Sequence, residues 1–209
     1  MQSAYSNTLS ISSFAKTVPY SEAPSLQGGE GNNYGFKNLI TSPDLLTSIP
    51  ELQSDLALKA LIRFLNCKES SFFTTGCFSQ MIYERQGYHY RGYVELAWNC
   101  QNCIQDAIHY FSLFFHFEQF LQQEKDNPAA QFHWLIEETD FLDIDLAGFC
   151  CAILLTTDSY TESSQATDTW EYTLKTLGSF FAKIPTKTSS PIYTNNFSSL
   201  CNSFTQFQL

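Results

Sequence analysis

Two adjacent runs of strand-forming residues limit the fold more than any other part of the chain. Residues 72–85 are rich in Thr, Phe, Ile and Tyr, and Gln86-Gly87 is a turn signal between this run and the next. In the second run, 88–98, apolar positions alternate with a second set: His89, Arg91, Tyr93 and Glu95. Because successive strand residues point to opposite faces, we expect a hairpin with one face on a core and this second set in water.

Helical spacing occurs once before the hairpin and twice after it. Ser48-Ile49-Pro50-Glu51 has the capping-box pattern of a helix start. The stripe that follows it is helical in spacing: Leu58, Leu61, Ile62 and Leu65. A long helix is predicted from Cys100 or Cys103 to Glu124, and a last helix over 161–183.

Two further strands are predicted between these last two helices, over 131–138 and 148–157. The order after the first helix is therefore ββα followed by ββα. We expect an α+β fold in which an N-terminal helix precedes two ββα units. These units would form a mostly antiparallel four-stranded sheet with the helices packed on one face.

The predicted domain organisation is a single α+β domain over 42–185 between two tails. Residues 1–41 are dominated by Ser, Gly, Asn and Pro, and we expect a flexible N-terminal tail there. Residues 186–209 are a Ser-, Thr- and Asn-rich C-terminal tail. Its apolar residues have the spacing of a short docking helix: Phe197, Leu200, Phe204 and Phe207.

Acidic residues outnumber basic ones by 21 to 11, and the formal net charge is −10. Nucleic acids and anionic membranes attract a positive field, so we expect neither as a partner. The longest apolar run, 147–155, is far shorter than the ~20 residues of a spanning helix, and no apolar signal segment precedes Lys16. The seven cysteines follow no disulfide framework, which favours a cytoplasmic location with free thiols.

Cys100-Gln101-Asn102-Cys103 is the sharpest local motif. It follows a predicted strand and opens a predicted helix, and a helix N-terminus raises the thiolate fraction of a cysteine. In this respect some 20 residues resemble the redox segment of thioredoxin-like proteins. The resemblance implies a thiol–disulfide pair at Cys100 and Cys103. The segment departs from that family in having Gln-Asn rather than Gly-Pro between the cysteines, a preceding hairpin rather than a βαβ unit, and no obvious cis-Pro segment.

Two groups of residues have ligand chemistry suited to a metal. Cys100 and Cys103 supply two of the four ligands of a structural zinc, but no second paired knuckle follows. The stretch 137–145 holds five acids, and the oxygens that Ca²⁺ or Mg²⁺ would use come mainly from Glu138, Asp140, Asp143 and Asp145. The EF-hand spacing is absent there, so we expect a solvated connection between strands, no metal and no cofactor.

The long helix carries two apolar stripes. The first contains Ile104, Ala107, Ile108, Phe111, Phe114 and Phe115. The second contains Tyr110, Leu113, Phe117, Phe120 and Leu121. A helix on a sheet needs one apolar stripe, so the second must meet the first helix, a tail or another molecule. We expect the second stripe to contribute to a protein–protein contact, in a homodimer.

These patterns favour a non-enzymatic intracellular interaction or regulatory module. The chain has no nucleophile-elbow motif, no phosphate-binding loop and no dinucleotide-binding glycine pattern. The alternative is a thiol–disulfide oxidoreductase that uses the Cys100/Cys103 pair.

Overall fold

Strands and helices follow one another along the chain largely as the hydrophobic patterns suggest. The protein is described from a computed structural model over residues 5–21, 35–185 and 191–193. Its strands are β1 (Ser6–Ile11), β2 (Lys16–Val18), β3 (Phe72–Glu84), β4 (Gly87–Trp98), β5 (Ala130–Phe141) and β6 (Leu146–Thr157). Its α-helices are α1 (Glu51–Ser54), α2 (Leu56–Leu65), α3 (Gln101–Ile104), α4 (Ile108–Gln123) and α5 (Ser163–Phe181).

All six strands belong to one sheet in the order β1-β5-β6-β4-β3, with β2 paired to β5 beyond the end of β1. β1 and β2 run parallel to β5, and the other pairs are antiparallel. The α+β class is confirmed, whereas a four-stranded sheet preceded by a helix is wrong. Both differences have one cause. The segment 1–41, expected to be a flexible tail, contributes two strands, whose partner lies far away in sequence (Ser6 pairs with Gln131).

The predicted hairpin is confirmed. β3 and β4 pair from Phe72 with Trp98 to Glu84 with Gly87, and Gly87 has a φ of 118°, which glycine adopts without strain. The register shifts within β3, because Thr74 pairs with Leu96 and Gly76 pairs with the adjacent Glu95. The intervening residue of β3 is therefore an extra one, as in a β-bulge.

The first long helix begins at a different residue from the predicted one. Ser48 ends a 3₁₀ turn, Pro43–Ser48, and its hydroxyl donates to Leu45 O at 2.7 Å. Asp55 is the N-cap of α2, because its Oδ1 accepts from Leu58 N at 2.8 Å. Its Oδ2 accepts from Trp170 Nε1 at 2.6 Å, so the same carboxylate also ties α2 to α5. The predicted stripe of α2 is buried throughout: Leu58, Leu61, Ile62 and Leu65.

Two apolar cores lie on opposite faces of the sheet. The larger one fills the space between the sheet and helices α2, α4 and α5. Within it, the ring of Phe117 lies 4.9 Å from that of Phe132 and 5.0 Å from that of Phe180. The smaller core covers one end of the opposite face: Val18, Ile40, Phe73, Ala97, Ile104, Phe141 and Cys150. That face is therefore only partly open, although the sequence predicts that it is wet along β4.

Across the part of the chain that the structure describes, no helix is both long and apolar enough to cross a membrane. The docking helix predicted over Phe197–Phe207 lies outside the described residues.

The Asp55 cap leads to a first prediction. Asp55→Ala is expected to lower the free energy of unfolding by about 1–3 kcal/mol, since it removes an N-cap and leaves the buried Trp170 indole N–H without its acceptor. Ser48→Ala is the matched control at the predicted but unused cap, and it should change stability by less than about 0.5 kcal/mol. Urea unfolding followed by circular dichroism measures both. Equal losses for the two variants would contradict the assignment of the cap.

Candidate functional site

Of the two apolar stripes in the predicted long helix, the one expected at an interface is buried, and two residues of the other, Ile108 and Phe115, are exposed. The five residues expected at an interface are all buried within the chain: Tyr110, Leu113, Phe117, Phe120 and Leu121. The hydroxyl of Tyr110 donates to Phe149 O, which fixes this face of α4 against the sheet. These side chains are core residues and offer no surface to a partner, which corrects the prediction.

The difference arises where the predicted long helix is interrupted. Residues 105–107 separate α3 from α4, and Asp106 Oδ1 accepts from Ile108 N at 2.9 Å at the start of the new helix. Ile104 therefore lies in α3 and packs into the smaller core. Because the helix is interrupted after Ile104, a stripe that is counted from Ile104 does not show which side of α4 faces the sheet. The outer face of α4 leaves Ile108 56% and Phe115 60% exposed.

The outer face of α4 lacks carboxylates, lysines and arginines. Its exposed positions between Ile108 and Gln119 are Ser112, Phe115 and His116. The one charged residue of the helix is Glu118, and its carboxylate accepts from Tyr5 OH at 3.3 Å and Asn7 Nδ2 at 3.1 Å. Glu118 is thereby bound to β1, which contains Asn7, and to Tyr5 directly before it.

Cys100 and Cys103 are brought together at the C-terminal end of β4. Both are free, and their sulfur atoms are 3.1 Å apart, with the Cys103 thiol donating to Cys100. Burial alone would raise the pKa of Cys100, but this hydrogen bond and those from the backbone N–H groups of Cys103 and Asn102 hold it below its usual value. Burial and the adjacent Cys100 raise the pKa of Cys103 to about 12. Cys100 is only 5% exposed, so the more acidic thiol is the less accessible one.

The acidic residues of 137–145 do not converge. Glu138 and Asp140 are exposed on β5, and Asp143 and Asp145 are exposed in the turn before β6. Within the described residues, the group whose ligand atoms lie close enough to hold a metal ion is a different one, composed of Glu95, Glu137 and Cys150.

Two members of that group, Glu95 and Glu137, line a cavity of about 800 Å³ whose lining also reaches Glu51 of α1 and Ile62 of α2. Its polar end contains Lys16, Thr75, Glu95 and Glu137, while Leu135, Ala152 and Leu154 line it along β5 and β6. Ala152 pairs with both Glu95 and Leu135, so these three side chains share the open face.

Glu95 is the centre of the polar end. It is 5% exposed, and its two carboxylate oxygens each lie 2.5 Å from Lys16 Nζ. Its Oε2 also accepts from Thr75 Oγ1 at 2.7 Å, and its Oε1 from Cys150 Sγ at 3.6 Å. Burial alone would lower the pKa of Lys16, but the Glu95 carboxylate raises it above its usual value, so the ammonium stays charged.

The irregularity of β3 makes room for this arrangement. Thr75 is the extra residue between the pairs Thr74–Leu96 and Gly76–Glu95. A Cβ on Gly76 would lie 3.3 Å from Glu95 Oε2 and 3.3 Å from Tyr93 Cε2, which is tighter than most real contacts. The bulge aims the Thr75 hydroxyl at Glu95, and the glycine lets β3 pass close to it.

Glu137 is the second carboxylate at the polar end, and it is half-buried. Burial raises the pKa of Glu137 and the Glu95 carboxylate raises it further, against the opposing effects of Lys16 and a hydrogen bond from Ser12. Burial also raises the pKa of the Cys150 thiol, which therefore keeps its proton at neutral pH. Because metal binding requires a thiolate there and Lys16 takes both oxygens of Glu95, the group fits a metal ion poorly.

The sequence predictions miss this site. Glu95 and His89 are expected in water, yet both are buried. Lys16 is assigned to a tail, and Glu137 is grouped with the acidic connection. The one available signal is a single acid between Val94 and Leu96 in a strongly apolar strand.

In comparisons with known proteins, no family model, no curated protein and no solved structure matches the chain. The site is therefore interpreted from its own geometry.

The pKa of Glu137 leads to a second prediction. A carboxyl with a raised pKa in the folded state binds more protons there than in the unfolded state, so it makes stability fall as pH rises above the ordinary pKa of 4.5. Glu137→Gln removes this effect. The variant should gain stability relative to the wild type as pH rises from about 4.5 to about 7.

Urea unfolding at the two pH values measures the difference. Glu138→Gln is the matched control, because Glu138 is the next residue of β5 and is exposed. The difference in the free energy of unfolding between this control and the wild type should be the same at both pH values. A Glu137→Gln difference that does not change with pH would contradict the placement of Glu137 beside Glu95.

Proposed function

We propose that the protein is a non-enzymatic interaction module that self-associates through the outer face of α4. The observation that carries the proposal is the exposure of Ile108 and Phe115, each more than half accessible, on a helix face whose exposed positions between Ile108 and Gln119 include no Asp, Glu, Lys or Arg. Isolated apolar residues are common on protein surfaces, whereas apolar residues that form a continuous patch mark interaction sites.

The spacing along α4 suits a second copy of the same helix. Ile108, Ser112 and Phe115 recur at intervals of four and three residues, with the half-buried Phe111 beside them. This is the spacing of a seam between two packed helices. In an antiparallel pair about a two-fold axis, Ile108 of one copy lies near Phe115 of the other, so the surface is self-complementary.

The net charge of the chain favours this face over others. Two copies with a net charge of −10 each repel one another wherever their carboxylates meet. The outer face of α4 reduces that repulsion, because none of its exposed positions between Ile108 and Gln119 is an acid, and the one acid of the helix, Glu118, is half-buried beside Tyr5 and Asn7.

The apolar face continues onto the edge strand of the sheet. Ile11 of β1 is 62% exposed and pairs with Ile136, whose side chain is buried under the helices. Residues paired in register share a face, so Ile11 lies on the helix side of the sheet at the edge next to α4. The contact surface therefore combines the helix and the strand.

A cytoplasmic location belongs to the same proposal. Five of the six described cysteines are free, as is usual in a reducing compartment: Cys77, Cys100, Cys103, Cys150 and Cys151. The sixth, Cys67, is disulfide-bonded, which corrects the expectation that all thiols are free and is the observation that opposes a cytoplasmic location. The acidic charge balance keeps nucleic acids and anionic membranes out of the proposed partners.

A third prediction tests self-association. Sedimentation equilibrium of the wild type at micromolar concentration should give twice the chain mass of 23.8 kDa. The double variant Ile108→Lys with Phe115→Lys should raise the dimer dissociation constant by at least about thirtyfold, the effect of losing an interface hot spot. Its circular dichroism should be unchanged, since both side chains are exposed.

Tyr83→Lys is the matched control, because Tyr83 is exposed at the far end of the β3–β4 hairpin. It should sediment like the wild type. A wild-type protein that is monomeric at micromolar concentration would overturn the proposed self-association.

A specific observation also favours the second candidate, a thiol–disulfide oxidoreductase. The Cys100 and Cys103 sulfur atoms are close enough to form a disulfide after a small movement, and the pKa of Cys100 is lowered. The low exposure of Cys100 opposes this function, because an attacking thiolate must reach the substrate disulfide.

A fourth prediction separates the two functions. In an insulin-reduction assay with dithiothreitol as the reductant, the wild type should not accelerate precipitation beyond the rate of the Cys100→Ser, Cys103→Ser double variant. Acceleration by the wild type that the double variant loses would establish the oxidoreductase and refute the non-enzymatic module.

A further inference from the structure

We propose that the cavity beside Glu95 and Glu137 is a binding site for a small organic cation, an alkylammonium or guanidinium group carried on an apolar body. This inference is independent of the proposed self-association, because no residue of α4 or β1 lines the cavity.

The size and walls of the cavity suit a small molecule. Its volume of about 800 Å³ falls within the range of ~300–1,000 Å³ that small-molecule sites occupy. Leu135 and Leu154 offer apolar contacts from the sheet, and the rings of Phe78 and Tyr93 stack with centroids 6.3 Å apart. Aromatic faces also attract cations.

The charges around the cavity favour a positive ligand. Lys16 and Glu95 neutralise one another through their short ion pair. Lys37 and Glu51 add one charge of each sign to the lining. Glu137 is the remaining carboxylate, and none of the ion pairs between described residues includes it. With Glu137 ionised, the lining has three negative and two positive side chains, a net charge of −1.

A bound cation would relieve the electrostatic strain on Glu137. Its carboxylate is half-buried beside that of Glu95, and like charges at close range disfavour ionisation. An ammonium or guanidinium group at hydrogen-bonding distance from Glu137 would form a charge-assisted hydrogen bond in a partly desolvated place, where such bonds are strong. At this end of the cavity, an anionic ligand would instead meet the carboxylates of Glu95 and Glu137, where Lys16 is already paired with Glu95.

Three probes with the same apolar chain test the inference: hexylamine, hexanol and hexanoate. Isothermal titration calorimetry of the wild type should give an affinity for hexylamine at least about tenfold higher than that for hexanol, with hexanoate the weakest. Equal affinities, a preference for hexanoate, or no binding of any probe would overturn the proposal.

Two matched variants test whether the cation binds at Glu137. In Glu137→Gln, the affinity for hexylamine should fall to within about twofold of that for hexanol. Glu138→Gln should keep the wild-type preference, because Glu138 does not line the cavity. Retention of the preference by Glu137→Gln, or its loss in Glu138→Gln, would contradict the assignment of the cation to Glu137.

A cavity-filling variant keeps the inference testable if Glu137→Gln fails to fold. Leu154 lines the cavity and is partly exposed, so Leu154→Trp fills part of the cavity with a larger side chain without replacing a core residue. It should weaken hexylamine binding by about tenfold or more. Unchanged binding to a folded Leu154→Trp variant would show that the amine binds elsewhere.

Discussion

The pairing of the N-terminal strands with β5 is the interaction on which the rest of the structure depends. β5 hydrogen-bonds to β6 on one side and to β1 and β2 on the other, so it lies inside the sheet. Without these strands, a twelve-residue strand that packs on the core would form the edge, and an unpaired edge of that kind attracts other chains. The same pairing delivers Lys16 to Glu95 and the Tyr20 hydroxyl to Thr75 O at 2.7 Å.

The ion pair that results explains how an acidic chain keeps a buried carboxylate. A buried charge destabilises the folded state unless it is paired and hydrogen-bonded. Glu95 meets both conditions, because Lys16 supplies the charge and Thr75 supplies a hydroxyl. The second carboxylate, Glu137, is less well compensated, and it borders a cavity. A carboxyl with a perturbed pKa that faces a cavity is a candidate functional group, although ion pairs with a structural role shift pKa values as well.

The α4 helix has one side in the larger core and one side in solvent. Its inner aromatic side chains form the centre of the larger core, where Phe117 contacts Phe132, Trp134 and Phe180. Its outer side keeps Ile108 and Phe115 in solvent. No residue of α4 lines the cavity, so the proposed ligand and the proposed second copy would not compete for the same surface.

Local patterns predict local structure well in this chain. The β3–β4 hairpin and the buried stripe of α2 follow from alternation, turn residues and helical spacing. The same reasoning predicts the strand over 148–157, and the structure places it as β6 in the interior of the sheet. The start of α2 is predicted wrongly, because Ser48 and Asp55 both have capping chemistry, and only Asp55 accepts from the helix backbone and from Trp170.

By itself, then, the sequence determined the α+β class, most strands and helices, and the aromatic content of the core. It did not determine which stripe of α4 meets the sheet, because both stripes are apolar and a break at residues 105–107 resets the helix. Nor did it reveal the polar site, whose members Lys16, Glu95 and Glu137 are dispersed along the chain. Such contacts arise only when distant strands pair, since the free energy that selects them comes from burial and hydrogen bonds absent in any local segment.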